Sequence, residues 1–486
     1  MLEPFRGPRR SIDYTTHDRV VSASWCVLII CVCAGWTAAQ CPAAVPKGPE
    51  PFKQLRYEED YQYLRDETLR DDYLDRIKYI PFNKDESAYM SLGGEVRERY
   101  ELFRNPAWGA DPPDDNGYLL QRYMLHSDIY FGSRVRFFFQ LKSGLASGEV
   151  NLRPPDEDKL DVNQGFMDVN LFDGSDRKLV LRIGRQEISL GSSRLVSFRE
   201  GPNVRQSFDG FRLSLCEMGW SVDVLATKPV ETNVGFFDDA PDHARSFWGI
   251  YAVHSVPFLP KATADIYYLG LDRKRAHFDQ GTEREIRHSI GARVSRPVGG
   301  VDYNFEALYQ WGAFGPGHIS AWTVASDTGY TLKGTAWKPR LSIRADVASG
   351  DKDPNNPDLQ SFNPLFPKGS YFGEDSLIGP VNFFDLHPTA ELHISRAFTL
   401  MPSTLFFWRQ STNDGLYGPA VNLERSGKAT RARYVGTSPQ LQLDWSLDRH
   451  MGATIYYSHF FAGSFLQTSG ASKDVDFFGV WVTYKF

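Results

Sequence analysis

The sequence has no run of about 20 apolar residues, the length a membrane-spanning helix needs. Its longest continuous apolar stretch is 25–39, from Trp25 to Ala39. It also lacks an excess of positive charge: 54 Lys and Arg stand against 60 Asp and Glu, for a net charge of −6. That balance gives no reason to expect a nucleic-acid partner. There is no metal-spaced His/Cys set, no Gly-x-Ser-x-Gly elbow and no phosphate-binding loop. Neither an enzyme, a cofactor nor a bound metal is therefore expected. His459 and Asp444 form an isolated pair that reads as interfacial polar groups, not a catalytic couple. The chain has five cysteines. Three of them, Cys26, Cys31 and Cys33, fall inside the apolar stretch, so no disulfide framework is expected.

What the sequence does contain is alternation. Aromatic residues make up 14% of the chain, with 34 Phe, 23 Tyr and 11 Trp. Many of them sit at every second position. At the C-terminus, Phe478, Val480, Val482, Tyr484 and Phe486 share one parity, with Gly479, Trp481, Thr483 and Lys485 between them. A strand sends alternate side chains to opposite faces, so this segment has one greasy face. On the edge of a soluble sheet such a face invites aggregation. In a closed barrel lipid covers it and no edge remains.

The pattern recurs upstream. Val301, Tyr303, Phe305, Ala307, Tyr309 and Trp311 oppose Asp302, Asn304, Glu306 and Gln310, with Leu308 as an exception. Leu341, Ile343, Ala345 and Val347 oppose Arg340, Ser342, Arg344 and Asp346. Leu441, Leu443, Trp445 and Leu447 oppose Gln440, Gln442, Asp444 and Ser446. Over 123–142, Leu125, Ile129, Phe131, Phe137, Phe139 and Leu141 oppose His126, Asp128, Arg134, Arg136, Gln140 and Lys142. These are period-two amphipathic strands. The expected fold is all-β: a transmembrane antiparallel β-barrel of 16–18 strands, with a water-filled lumen. A negative mean hydropathy fits such a barrel, because only alternate strand residues meet lipid.

Arg6, Arg9, Arg10 and Arg19 precede the 25–39 stretch, and the small residues Thr37-Ala38-Ala39 end it. Residues 1–39 therefore read as a signal peptide for export to the bacterial outer membrane. Residues 40–90 form a periplasmic lead-in. Its 55–80 part mixes acidic and aromatic residues, as in Tyr57-Glu58-Glu59-Asp60-Tyr61 and Asp71-Asp72-Tyr73. It could be a short helix, a plug-like segment or an ordered strap before the first strand. The barrel is expected over 91–486, with extracellular loops at 104–117, 147–161, 349–382 and 411–433.

The polar strand faces carry the chemistry. Arg97, Arg99, Arg122, Arg134, Arg136, Arg212, Arg293, Arg340 and Arg344 share them with Glu95, Glu101, Asp128, Asp168, Asp223, Asp302, Glu306, Asp346 and Asp444. Guanidinium groups at a constriction attract carboxylates and phosphates. The near balance of charge means that anion preference requires the cations to cluster at the narrowest level. On 179–188 two readings stand. Either Arg182 faces the lumen and Arg185 emerges above the membrane, or Gly184 marks a bulge that re-aims Arg185.

Several motifs are similar to those of the alginate-export family of outer-membrane proteins. They are Glu59-Asp60-Tyr61, Leu64-Arg65-Asp66 and Lys78-Tyr79-Ile80-Pro81, then Leu92-Gly93-Gly94-Glu95-Val96-Arg97-Glu98-Arg99-Tyr100-Glu101. Arg182-Ile183-Gly184-Arg185-Gln186, Ser207-Phe208-Asp209-Gly210 and Ala348-Ser349-Gly350-Asp351 follow. The last are Phe362-Asn363-Pro364-Leu365-Phe366-Pro367, Trp408-Arg409-Gln410, Asp414-Gly415-Leu416-Tyr417 and Ser458-His459-Phe460-Phe461. The resemblance runs from about Glu58 to Phe486 and implies a monomeric barrel of about 18 strands. It also implies passive passage of an anionic polysaccharide through an arginine-rich constriction. Arg122, Arg185 and Arg409 match the positions of the family's pore arginines. The chain departs from the family pattern at Glu187, at Gln164 and at Tyr456-Tyr457-Ser458-His459, where basic residues are expected.

The combined expectation is a passive outer-membrane channel for an anionic or polar saccharide or another small hydrophilic solute. It would sit in outer-membrane lipid, with a periplasmic delivery protein as a further partner. The alternative is a general or anion-selective porin; an outer-membrane enzyme or a purely structural barrel is disfavoured. The expected pore-lining groups are Arg97, Arg99, Arg122, Arg134, Arg136, Arg185, Arg344 and Arg409.

Overall fold

In a computed structural model, residues 48, 50–113, 116–150, 155–174 and 176–486 are described. The segment expected to be a signal peptide lies outside them. Eighteen long strands follow one another in sequence, each antiparallel to the next. They are β1 Ala88–Arg104, β2 Tyr118–Phe131, β3 Val135–Ser147, β4 Asp158–Asp173, β5 Arg177–Gln186 and β6 Phe208–Glu217. Then come β7 Trp220–Glu231, β8 Arg245–Ser255, β9 Thr263–Phe278, β10 Gly281–Arg296, β11 Val301–Phe314 and β12 Gly317–Thr331. The last six are β13 Arg340–Ala348, β14 Phe383–His393, β15 Phe398–Arg409, β16 Tyr434–Ser446, β17 Met451–Ala462 and β18 Val475–Lys485. The barrel closes where β1 pairs with β18, in a register running from Glu95 opposite Lys485 to Arg104 opposite Asp476. It begins at Ala88, three residues before the expected boundary.

The alternation read from the sequence becomes inside and outside. Leu125, Phe137, Phe139, Phe305, Tyr309, Trp311, Leu341, Ile343, Leu441 and Val482 point outward and are exposed. Lipid covers such a band in an outer-membrane barrel. Glu95, Arg97, Arg99, Asp128, Gln140, Glu306 and Gln310 point inward and are buried. Leu308, the exception in its strand, also points inward and joins the apolar filling of the lumen. Gly184 does not mark a bulge. The register of β5 against β4 and β6 is unbroken there, with Gly184 opposite Phe166 and Gly210. Arg182 therefore faces the lumen and Arg185 lies at the upper rim, as in the first of the two readings.

Short turns lie at the end where β1 starts and β18 finishes, the periplasmic end of such barrels. At the other end are connections at 105–117, 148–157, 187–207, 232–244, 349–382, 410–433 and 463–474. The sequence marked four of these as hydrophilic insertions. It gave no hint of 187–207, and that loop turns out to be central. Ile188, Leu190, Leu195 and Val196 from it are buried with Phe362, Phe366 and Phe372 of loop 349–382. Phe208, Phe247 and Phe407 of the wall complete this apolar filling. Backbone bonds join the two loops: Phe366 N donates to Leu195 O at 2.8 Å and Lys368 N to Ser193 O at 3.1 Å. Polar backbone buried this way needs such partners.

The lead-in is an ordered strap. It has three short 3-10 turns, at Arg56–Glu58, Gln62–Arg65 and Glu67–Leu69, and one helical turn, Asp75–Lys78. Tyr57 packs edge-on against Phe138 and Phe166 of β3 and β4, with ring centroids 6.1 and 5.5 Å away. Its hydroxyl donates to Glu187 O in the inner loop at 3.1 Å. Arg56 donates to Gly94 O and Phe486 O, both at 2.8 Å. At the far end of the strap, Asp72 takes a 2.7 Å bond from His450 in the turn before β17. Its Leu55–Tyr57 part thus reaches into the lumen against β3, β4 and loop 187–207, and its Asp72 end lies at the periplasmic mouth beside the β16–β17 turn.

Candidate functional site: a passage beside the barrel seam

The two inner loops fill most of the lumen but leave three adjoining cavities beside β1 and β18. The outer one, about 160 Å³, is walled by Pro106, Ala107, Trp108 and Asp111 of the first extracellular loop. It meets the central cavity, about 330 Å³, at Phe103, Asp375, Ser376 and Glu424. The central cavity meets the inner one, about 280 Å³, at Arg99, Gly201 and Glu374. The inner cavity reaches Thr483 of β18 and Gln54 of the strap.

Two of the expected arginines line this route. Arg99 donates to Glu374 Oε2 at 3.1 Å and Gly201 O at 3.3 Å, and it is ion-paired with Glu101. Its guanidinium lies 4.5 Å from the ring centre of Trp481, a cation–π distance. Arg97 is held by main chain: its Nη1 donates to Glu200 O at 3.1 Å and its Nη2 to Pro202 O at 3.0 Å. Loop 187–207 thus presents carbonyls to strand β1, which keeps both side chains fixed against the passage wall.

The remaining expected arginines are structural in their contacts. Arg122 is buried and is shared by Glu95 and Glu200, with Arg205 completing the cluster. Burial would raise the Glu200 carboxyl, but Arg122 and Arg205 outweigh it and hold it below the usual carboxylate range. Arg136 forks onto Asp128 at 2.7 and 2.8 Å, beside the strap. Arg185 forks onto Asp209 at 2.9 and 3.1 Å and reaches Asp239 O of loop 232–244. Arg344 donates to Tyr371 O at 2.9 Å and to His387 Nδ1 at 2.6 Å. Arg409 is fully buried under a cap of carbonyls, with Asp414 O at 2.7 Å and Thr430 O at 2.9 Å, and it covers the Phe465 ring. Arg134 lies in the exposed turn between β2 and β3 rather than on a strand. His459 pairs with Asp476 at 2.7 Å, not with Asp444, whose partners are Gln442 and Thr454.

Sequence reading missed two cations, both on loops. Arg199 lines the central cavity and Lys368 the inner one. Burial pulls the Arg199 guanidinium down to about 10, with Arg245 adding repulsion. Burial also pulls the Lys368 ammonium down to about 8, with further repulsion from Arg344 and Arg194. Neither is on an alternating strand, so the wall pattern could not reveal them. The only signal was their setting, Ser197-Phe198-Arg199 before Gly201-Pro202 and Pro367-Lys368-Gly369, where apolar and cationic residues mix between turn formers. Asp161 of β4 and Asp238 and Asp239 of loop 232–244 gather within metal-ligand reach. Arg185 and Lys142 already pair with Asp161 and Asp239.

A family model described as alginate export matches residues 88–480. No curated protein matches the chain. Among solved structures, Pseudomonas aeruginosa OpdO is similar at 12% identity, TM-score 0.55, over 82% of this chain and 97% of that one. P. aeruginosa OprD is similar at 14% identity, TM-score 0.53, over 85% and 96%. P. aeruginosa OccK2 (OpdF), solved in complex with glucuronate, is similar at 14% identity, TM-score 0.53, over 82% and 98%. At these identities the likeness shows the fold.

Proposed function

Because the chain belongs to the alginate-export family, we propose that this passive outer-membrane channel conducts small hydrophilic anions, sugar acids among them, along the seam-side passage. The observation that carries the reading is the meeting of cations and a stacking surface at one narrow level. Arg97, Arg99 and Trp481 line the inner cavity together, and a carboxylated sugar ring offers a charge to the first two and a face to the third. The central cavity of about 330 Å³ lies at the small end of the range for ligand pockets, which favours a monomeric solute. A polymer would need loops 187–207 and 349–382 to move aside. Conduction needs binding that is favourable but weak, and Arg99, already shared with Glu101 and Glu374, provides that.

The purified protein in planar bilayers tests this. A salt gradient should give a reversal potential of anion preference, and proteoliposomes should admit glucuronate faster than an uncharged hexose. Clear cation preference, or absence of conductance, would reject the reading.

A further inference from the structure

Four cationic side chains line the central and inner cavities among the described residues: Arg97, Arg99, Arg199 and Lys368. They divide into two kinds. The wall pair is committed, since Arg99 is bound to Glu101 and Glu374 and Arg97 to a row of carbonyls. The loop pair is not. Among the described residues, the one side-chain hydrogen bond of Arg199 is from Nε to Pro367 O at 3.3 Å. No acid among the described residues lies within ion-pairing distance of Arg199 or of Lys368. Among the described residues, the only aromatic contact of the Lys368 ammonium is the Tyr371 ring, 5.8 Å from its centre.

Resting on the channel reading above, we infer that Arg199 and Lys368, rather than the wall arginines, set the anion preference of the passage. A cation already neutralised by a carboxylate adds little net field, whereas an uncompensated one in a narrow low-dielectric channel attracts counter-ions strongly. Arg199 is in the left-handed region at φ 57°, which a residue with a side chain adopts only under strain. Its N–H donates to Ser197 Oγ at 2.9 Å, so the surrounding loop holds the strained backbone that aims the guanidinium into the cavity. Lys368 is fixed by its own backbone bond to Ser193 O. Both loops thus place a cation on the route while being tied to each other.

The groups that influence Lys368 are Arg344 and Asp346 of β13, Arg194 of the inner loop and Asp327 of β12. Its depressed value means that charge is lost as pH rises through about 8. Anion preference of the wild-type channel should therefore fall across that interval, and in Lys368→Gln this fall should disappear.

The experiment compares wild type, Arg199→Gln/Lys368→Gln, Arg199→Glu/Lys368→Glu and the control Arg134→Gln by reversal potential in KCl. Heat-modifiable migration on gels verifies the closed barrel of each. The neutral pair should lower the chloride-to-potassium permeability ratio by at least about threefold, and the acidic pair should invert the preference. Arg134→Gln should match wild type. A conducting double variant with unchanged selectivity would overturn this assignment while leaving the channel reading intact. A wild-type protein without conductance would overturn both. If a double variant fails to form a barrel, the single Lys368→Gln variant and its pH profile decide: a persisting fall through about pH 8 would overturn the role of Lys368.

Discussion

The lumen has two sides that the wall alone does not distinguish. On the side of β9–β11 the inner loops are welded to the barrel. Arg287 and Glu285 are both fully buried and ion-paired, and Arg287 also donates to Gln310 Oε1 at 2.8 Å. Asn363 of loop 349–382 donates to Glu285 at 3.0 Å, and its carbonyl takes a 2.8 Å bond from Gln310. Phe278 and Tyr417 pack beside this cluster with ring centroids 6.0 Å apart. On the side of β1 and β18 the same loops touch the wall only in places, through Arg97, Arg99 and Asn203, and between these contacts carbonyls, cations and acids face open cavities. Equal strand chemistry thus gives a sealed half and a half with open cavities, and the difference lies in how closely the loops pack against the wall. The wall is a scaffold, and the loops decide where solute can go.

Breaking the sealed side should have the largest effect. Glu285→Ala strands the buried cation Arg287 and the half-buried Arg273, which should cost about 3–5 kcal/mol. A lowered denaturant midpoint in detergent micelles checks this; a midpoint within error of wild type would show the weld to be dispensable. Opening the side with cavities comes next. Removal of residues 50–79 takes away Gln54 and Tyr57 beneath the inner cavity, and single-channel conductance should rise at least about twofold. Unchanged conductance would mean that the strap does not cover the route.

A smaller effect follows from Asp375, where the outer and central cavities meet. Burial, then repulsion from Glu374 and Glu101, raises its carboxyl from 3.8 to about 6, against a lowering bond from Ser458. It is charged at neutral pH and becomes neutral as pH falls through about 6. Acidification should therefore remove one negative charge from the passage and strengthen anion preference, and Asp375→Asn should flatten that dependence. Reversal potentials across this interval decide it. The smallest effect belongs to Arg134→Gln, which touches neither side and should shift stability by less than about 0.5 kcal/mol in the same denaturation assay.

The wall was legible because alternation is a local property: Phe305, Tyr309 and Trp311 declare an outer face without reference to anything distant. The terminal strand was readable for the same reason, whereas the range of 16–18 strands followed from the length of chain left after the lead-in. The passage was not. Ile188, Leu190 and Val196 look like strand material, and only their burial against Phe366, far along the chain, shows that they are filling. The arginines illustrate the limit. The alternation marked Arg122 and Arg136 as inward, but whether an inward cation is available depends on acids and carbonyls brought from other elements. Arg199 and Lys368 matter for the opposite reason, since they sit where no periodicity exists.

Arg56 grips two carbonyls at once, those of Gly94 in the first strand and Phe486 after the last. These acceptors lie at opposite ends of the barrel sequence and become neighbours only when β1 zips onto β18. In an unfinished barrel the clasp holds at most one of its two acceptors, so full docking of the strap follows closure and works as a check that the ring is complete. In a folding time course, protection of the strap from protease should lag behind heat-modifiable closure; simultaneous or earlier protection would contradict that order.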